Sequence, residues 1–144
     1  MSSTQHTSEH RIVVVDSSVA VKWFKSEGER SLAQAWELLE AHREGALTLA
    51  VPGHFPAEVL NGLQYARLAL DDVRAAATAI ARTDLVAVPL SRRVTESAVA
   101  LAQAHRLTVN DALFPALAML LDCELVTADR AQARVTECPV RLLR

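Results

Sequence analysis

The run Ile12-Val13-Val14-Val15, closed by Asp16, limits the fold more than any other part of the chain. Four apolar β-branched residues in succession leave no polar face, so as a strand they need cover on both sides. That environment exists inside a parallel sheet. The segments 47–51, 85–88 and 124–127 read as further strands, and 139–143 as a fifth at the sheet edge. Between them apolar residues recur at helical spacing. Strand alternating with helix predicts an α/β domain with a central, mostly parallel sheet of four to five strands flanked by helices.

The helices follow from local signals. Ser17 or Ser18 can cap a helix through Phe24, and Gly28 breaks the pattern. Residues 31–43 place Leu32, Ala35, Trp36 and Leu39 on one face, and Gly45 ends that helix. Pro56 suits the first turn of a helix that runs to about Leu70. Asp71 can cap the next, through Ala81. Residues 92–105 are helical, and Asn110 caps a helix from Asp111 to Leu121. Pro115 then falls at about the fourth position, where a missing N–H costs little. A short helix follows Asp129.

With 144 residues, one domain over 11–144 accounts for the pattern, preceded by a polar lead-in over 1–10. The lead-in has no apolar centre of a secretory signal. No apolar run approaches the roughly 20 residues of a membrane span. Cys123 and Cys138 make no disulfide framework and read as reduced, buried thiols of a cytoplasmic protein. The five histidines are dispersed and pair with no cysteine at zinc spacing. Only four glycines are present, with no glycine-rich phosphate loop and no Gly-x-Ser-x-Gly elbow.

The chemistry is carried by carboxylates in awkward places. Asp16 ends the first strand, Glu58 and Asp111 open helices, and Asp129 follows the run Leu125-Val126-Thr127-Ala128. In a parallel sheet, ligands bind beyond the carboxyl ends of the strands, and these four positions can meet there. Each acid has a plainer reading as well. The helix dipole favours Glu58 and Asp111, and Asp129 can cap a turn. Asp16, directly after a buried strand, is harder to explain so. Four carboxylates on one rim repel one another until a hard cation such as Mg²⁺ or Mn²⁺ joins them. Ser18 and Thr127 offer hydroxyls to the same rim, or to local backbone. Arginine supplies 13 of the 15 basic residues. Arg92, Arg93 and Arg130 are candidates for phosphate contacts, though each also reads as a solvated charge.

Four motifs carry a family resemblance. Val13 to Phe24 with Asp16, Pro52 to Leu63 with Glu58, Asn110-Asp111-Ala112-Leu113-Phe114, and Leu125-Val126-Thr127-Ala128-Asp129 resemble, in order, those of PIN-domain nucleases of the VapC toxin type. The resemblance implies a PIN fold and Mg²⁺- or Mn²⁺-dependent endoribonuclease activity. It also implies a homodimer and a VapB-like antitoxin that blocks the site. Asp16, Glu58, Asp111 and Asp129 would form the metal-binding set, with Ser18 and Thr127 in support. Pro115 and the segment 130–136, which lacks the usual aromatic anchor, depart from the pattern. The alternatives are a PIN-like module that binds RNA or protein without cutting, and a phosphatase with Asp16 as nucleophile. The latter commonly wants an acid two residues on, where this chain has Ser18.

Overall fold

A computed structural model describes residues 10–25 and 30–144. Residues 1–9 of the lead-in and the break at Gly28 lie outside the described residues. The strands are β1 (Arg11–Val15), β2 (Leu47–Pro52), β3 (Val86–Val88), β4 (Glu124–Thr127) and β5 (Val140–Leu142). They form one sheet in the order β3-β2-β1-β4-β5, every neighbouring pair parallel. β1 is central, as its composition requires: Val13, Val14 and Val15 are fully buried, whereas Ile12 at its amino end is partly exposed. From β1 the chain builds outward through β2 and β3, then returns to add β4 and β5 on the other side. The reversal falls between β1 and β4, the place where open parallel sheets bind ligands. Asp16 and Asp129 stand just beyond the carboxyl ends of those two strands.

The helices are α1 (Ser17–Lys22), α2 (Arg30–Arg43), α3 (Phe55–Tyr65), α4 (Leu70–Arg82), α5 (Arg92–His105) and α6 (Val109–Leu121). α6 packs across β1, β2 and β4, and its residues from Ala112 through Ala118 are all buried. An all-round apolar helix belongs in such a position. α5 lies along α6, and α3 along α1. Gly62 lets α3 approach α1 closely, since a Cβ there would stand 2.8 Å from Cγ2 of Val21.

Several sequence expectations need correction. α1 stops at Lys22, and its first cap position is Asp16 rather than a serine, because the Ser18 hydroxyl is turned to the Asp16 carboxylate. Trp23 then leaves the helix to donate its indole N–H to the Ala35 carbonyl at 2.8 Å, which ties α1 to α2. α3 ends at Tyr65, five residues short of the expected end: Arg67 turns left-handed and Leu68 N–H closes back onto the Leu63 carbonyl. Asp71 lies inside the first turn of α4, which Ala69 precedes in extended conformation, so it does not cap. Thr108, not Asn110, caps α6 by accepting the Asp111 N–H at 3.1 Å. Pro115 is consequently the seventh residue of α6, past the turn where its missing N–H would be free of cost. Trp36 is 40% exposed, because the buried stripe of α2 runs through Leu32, Ala35, Leu38 and Leu39. Both cysteines are free, but Cys123 is only half-buried at the entrance to β4. The short helix after Asp129 is a 3-10 turn over Gln132–Arg134.

Candidate active site

Asp16 anchors the site because its carbonyl and its carboxylate do different jobs. Its N–H extends the β1–β4 pairing to the Val126 carbonyl at 2.9 Å, and its carbonyl accepts Val19 N–H at 3.0 Å to start α1. The side chain, 2% exposed, is thereby fixed at the junction of strand and helix. Its Oδ2 accepts two hydroxyls, Ser18 at 2.5 Å and Thr127 at 2.9 Å. Each hydroxyl is oriented in turn by the chain leaving β4. Ser18 Oγ accepts Ala128 N–H at 2.9 Å, and Thr127 Oγ1 accepts Asp129 N–H at 3.0 Å. A hydroxyl has one proton, so the accepted N–H bonds leave that proton for the carboxylate. Ser18 and Thr127 therefore both bond the Asp16 carboxylate and accept local backbone N–H groups, so each of the two readings their positions allowed describes part of what they do.

Burial is the main influence on the Asp16 carboxyl and raises it to about 6; the two hydroxyls pull it down, and the charges of Asp111 and Asp129 push it up. Asp111, half-buried in the first turn of α6, is raised for the same leading reason. The Thr108 hydroxyl offsets part of that rise, the Asp129 charge adds to it, and His54 opposes it. The three aspartates thus feel one another's charge. Glu58 is half-buried in the first turn of α3 and is not among the charges that perturb Asp16 or Asp111. So the structure brings Asp16, Asp111 and Asp129 within reach of one another's charge, and Glu58 stands in the first turn of a different helix, α3.

The donor set suits a hard cation, being oxygen only. Oδ2 of Asp16 is saturated by its two hydroxyls. Oδ1 of Asp129 accepts Ala131 N–H at 2.9 Å, leaving Oδ2. Among the described residues no three acidic, histidine or cysteine side chains converge into a ready cage. Mg²⁺ retains several waters and touches few carboxylates directly, so an open trio of mutually repelling aspartates fits it.

Two site neighbours carried no signal in the sequence. Gln132 is fully buried and donates its Nε2 to Asp16 Oδ1 at 3.0 Å, while its Oε1 has no partner. Nothing in the spacing marks it beyond its being an uncharged polar residue between Ala131 and Ala133. His54 donates from Nε2 to the Asn110 carbonyl at 2.9 Å and packs on Phe114, with ring centroids 5.1 Å apart. Its carbonyl accepts the Glu58 N–H at 3.2 Å, so it links the first turns of α3 and α6. Of the three arginines, Arg130 directly follows Asp129 and lines a depression with Ala128, Leu142, Leu143 and Arg144. Arg92 and Arg93 start α5, the helix that follows β3 in the chain; Arg92 is paired with Glu96 at 2.8 Å, and Arg93 borders a cleft between α5 and α6.

A family model described as the PIN domain matches residues 13–137. No curated protein matches the sequence. The structure is similar to VapBC2 from Rickettsia felis bound to a promoter DNA fragment, with a TM-score of 0.68 at 16% identity, covering 92% of this chain and 99% of that one. It is also similar to a toxin–antitoxin complex from Klebsiella pneumoniae, with a TM-score of 0.59 at 23% identity over 88% and 98% of the two chains. A third likeness is to VapC20 of Mycobacterium tuberculosis, a sarcin–ricin loop cleaving toxin, with a TM-score of 0.65 at 17% identity over 88% and 98%. At these identities the likeness is one of fold.

Proposed function

Because the chain belongs to the PIN domain family, we propose that it is a metal-dependent endoribonuclease and the toxin of a toxin–antitoxin pair. The observation that carries the reading is the placement of the buried Asp16, and of Asp129, just beyond the carboxyl ends of β1 and β4 at the switch point of the sheet, with Asp111 opening the helix that packs across those strands. In this reading the three aspartates hold Mg²⁺ or Mn²⁺, directly or through water, and Glu58 completes the rim from α3. A bound ion supplies charge stabilisation at the phosphate and lowers the pKa of an attacking water. Ser18 and Thr127 keep the Asp16 carboxylate oriented, and near pH 7 a carboxyl raised to about 6 is mostly ionised and ready to ligate. Water attacks phosphorus, the bond to the 3′-oxygen breaks, and the products are a 5′-phosphate and a 3′-hydroxyl. Arg130 would meet the RNA backbone beside Asp129, and Arg92 and Arg93 would add contacts from the start of α5. Such contacts position RNA and leave base choice to loop shape.

The partners proposed are a VapB-like antitoxin and a second copy of the chain. Support for the antitoxin comes from the solved toxin–antitoxin complexes of the same fold. Among the described residues no helix is long and apolar enough to cross a membrane. The open spacing of the trio favours one second reading, a module that binds RNA without cutting. Incubating purified protein with a pool of structured RNAs decides between them. Discrete fragments with Mg²⁺ or Mn²⁺, absent with EDTA and absent from Asp16→Asn, are expected. RNA retained but uncut by the folded protein with Mn²⁺ present would select the second reading.

A further inference from the structure

We propose that Gln132 is a positioning residue for Asp16, fixing the carboxylate so that Oδ1 alone is offered to a cation. The inference rests on the metal reading above. Asp16 Oδ2 has two lone pairs and two hydroxyl donors, so it has none to spare. Oδ1 has one protein donor, the Gln132 amide at 3.0 Å, and one lone pair left over. The three donors arrive from three parts of the chain: α1, β4 and the 3-10 turn after Asp129. Together they define the plane of the carboxylate and not merely its position. Without the amide the group can pivot about its bond to Cβ, since both remaining donors sit on one oxygen.

Packing does not account for an amide at this place. Gln132 is fully buried, and its Oε1 reaches no donor. A methionine or leucine would fill the same volume without stranding a polar atom. The half of the amide that is satisfied is the half that touches Asp16. The turn that carries Gln132 is itself fixed by Asp129, whose Oδ1 accepts Ala131 N–H and whose carbonyl accepts Ala133 N–H at 3.1 Å. Gln132 therefore couples two aspartates of the trio: one sets the turn from which the amide reaches the other.

The test is Mn²⁺ binding without RNA, read by the loss of the free-ion paramagnetic resonance signal. It compares the intact protein with Gln132→Met, Gln132→Leu, Asp16→Asn and the Gln132→Met/Asp16→Asn double variant, each checked for folding by thermal unfolding. Outer partners of metal ligands typically change affinity by about 10–100-fold. Gln132→Met is expected to fold and to bind Mn²⁺ at least about tenfold more weakly. Asp16→Asn is expected to bind more weakly still, and adding Gln132→Met to it should change nothing further. A folded Gln132→Met or Gln132→Leu with the affinity of the intact protein overturns the proposal, as does failure of both to fold, which makes Gln132 a packing residue. Intact protein that takes up no Mn²⁺ overturns the metal reading itself, and this one with it.

Discussion

Replacing Asp16 by asparagine should make the metal-free protein more stable at neutral and alkaline pH. The carboxyl is almost fully buried and its folded value is raised from 3.8 to about 6, chiefly by burial. Below about pH 3.8 the group is protonated in both folded and unfolded chains, and no charge is buried. Between about 4 and 6 the unfolded chain releases its proton while the folded one keeps it, so stability falls as pH rises. Above 6 the full penalty stands, about 3 kcal/mol for a rise of this size. Asparagine removes the buried charge at every pH. Its carbonyl can accept Ser18 and Thr127, which turns its NH₂ toward Gln132. The stranded Gln132 Oε1 becomes useful there, because rotating the amide end presents it as the acceptor. The expected gain in EDTA at pH 8 is about 3 kcal/mol, a rise in Tm of roughly 10 °C for a chain of this size. Near pH 4 the gain should nearly vanish. Thermal and urea unfolding at both pH values measure it. A variant less stable than the parent at pH 8, or a difference that does not change with pH, would refute the assigned cost of the buried charge.

Two other substitutions probe packing and substrate contact. Gly62→Ala places a methyl 2.8 Å from Val21 Cγ2. The helix preference of about 1 kcal/mol is outweighed by overpacking of about 1–3 kcal/mol, so a net loss near 1 kcal/mol is expected in urea unfolding, reversed by adding Val21→Ala. Arg130→Gln should weaken binding of an uncleavable RNA evenly across sequences and reduce the slope of log affinity against log salt by about 0.7, with Mn²⁺ affinity unchanged; an unaltered slope would remove Arg130 from the interface.

Much of the sheet was legible because its signal is local. The β-branched run before Asp16 can be satisfied only with cover on both faces, and the structure gives it the central place in a five-stranded parallel sheet. Asp16, Asp111 and Asp129 were legible as carboxylates at element ends; the bonds of Ser18 and Thr127 to Asp16 were one of two readings that their positions left open. What escaped was set by tertiary contact. The end of α3 has no glycine or proline to mark it; an arginine takes the left-handed turn instead. Thr108 outcompeted Asn110 as a cap because α6 begins two residues before Asp111, at Val109. Trp36 fits the apolar stripe by spacing, yet Leu38 faces the core in its place. Gln132 was invisible because its meaning lies entirely in an oxygen 116 residues away in the chain.

The pairing of β1 with β4 also sets when, in folding, the proposed site can form. Among the described strands the first in sequence is the centre of the sheet, and its second neighbour is the fourth: Asp16 and Thr127, which share a hydrogen bond, are 111 residues apart. A chain still short of β4 holds Asp16 next to an open sheet edge, with neither Thr127 nor Asp129 to complete the rim. Contacts this distant in sequence form late and slowly. The proposed site is thus incomplete until β4 has joined β1. The order of strands along the chain therefore makes closure of the site a late event in folding, after β1, β2 and β3 can already pair.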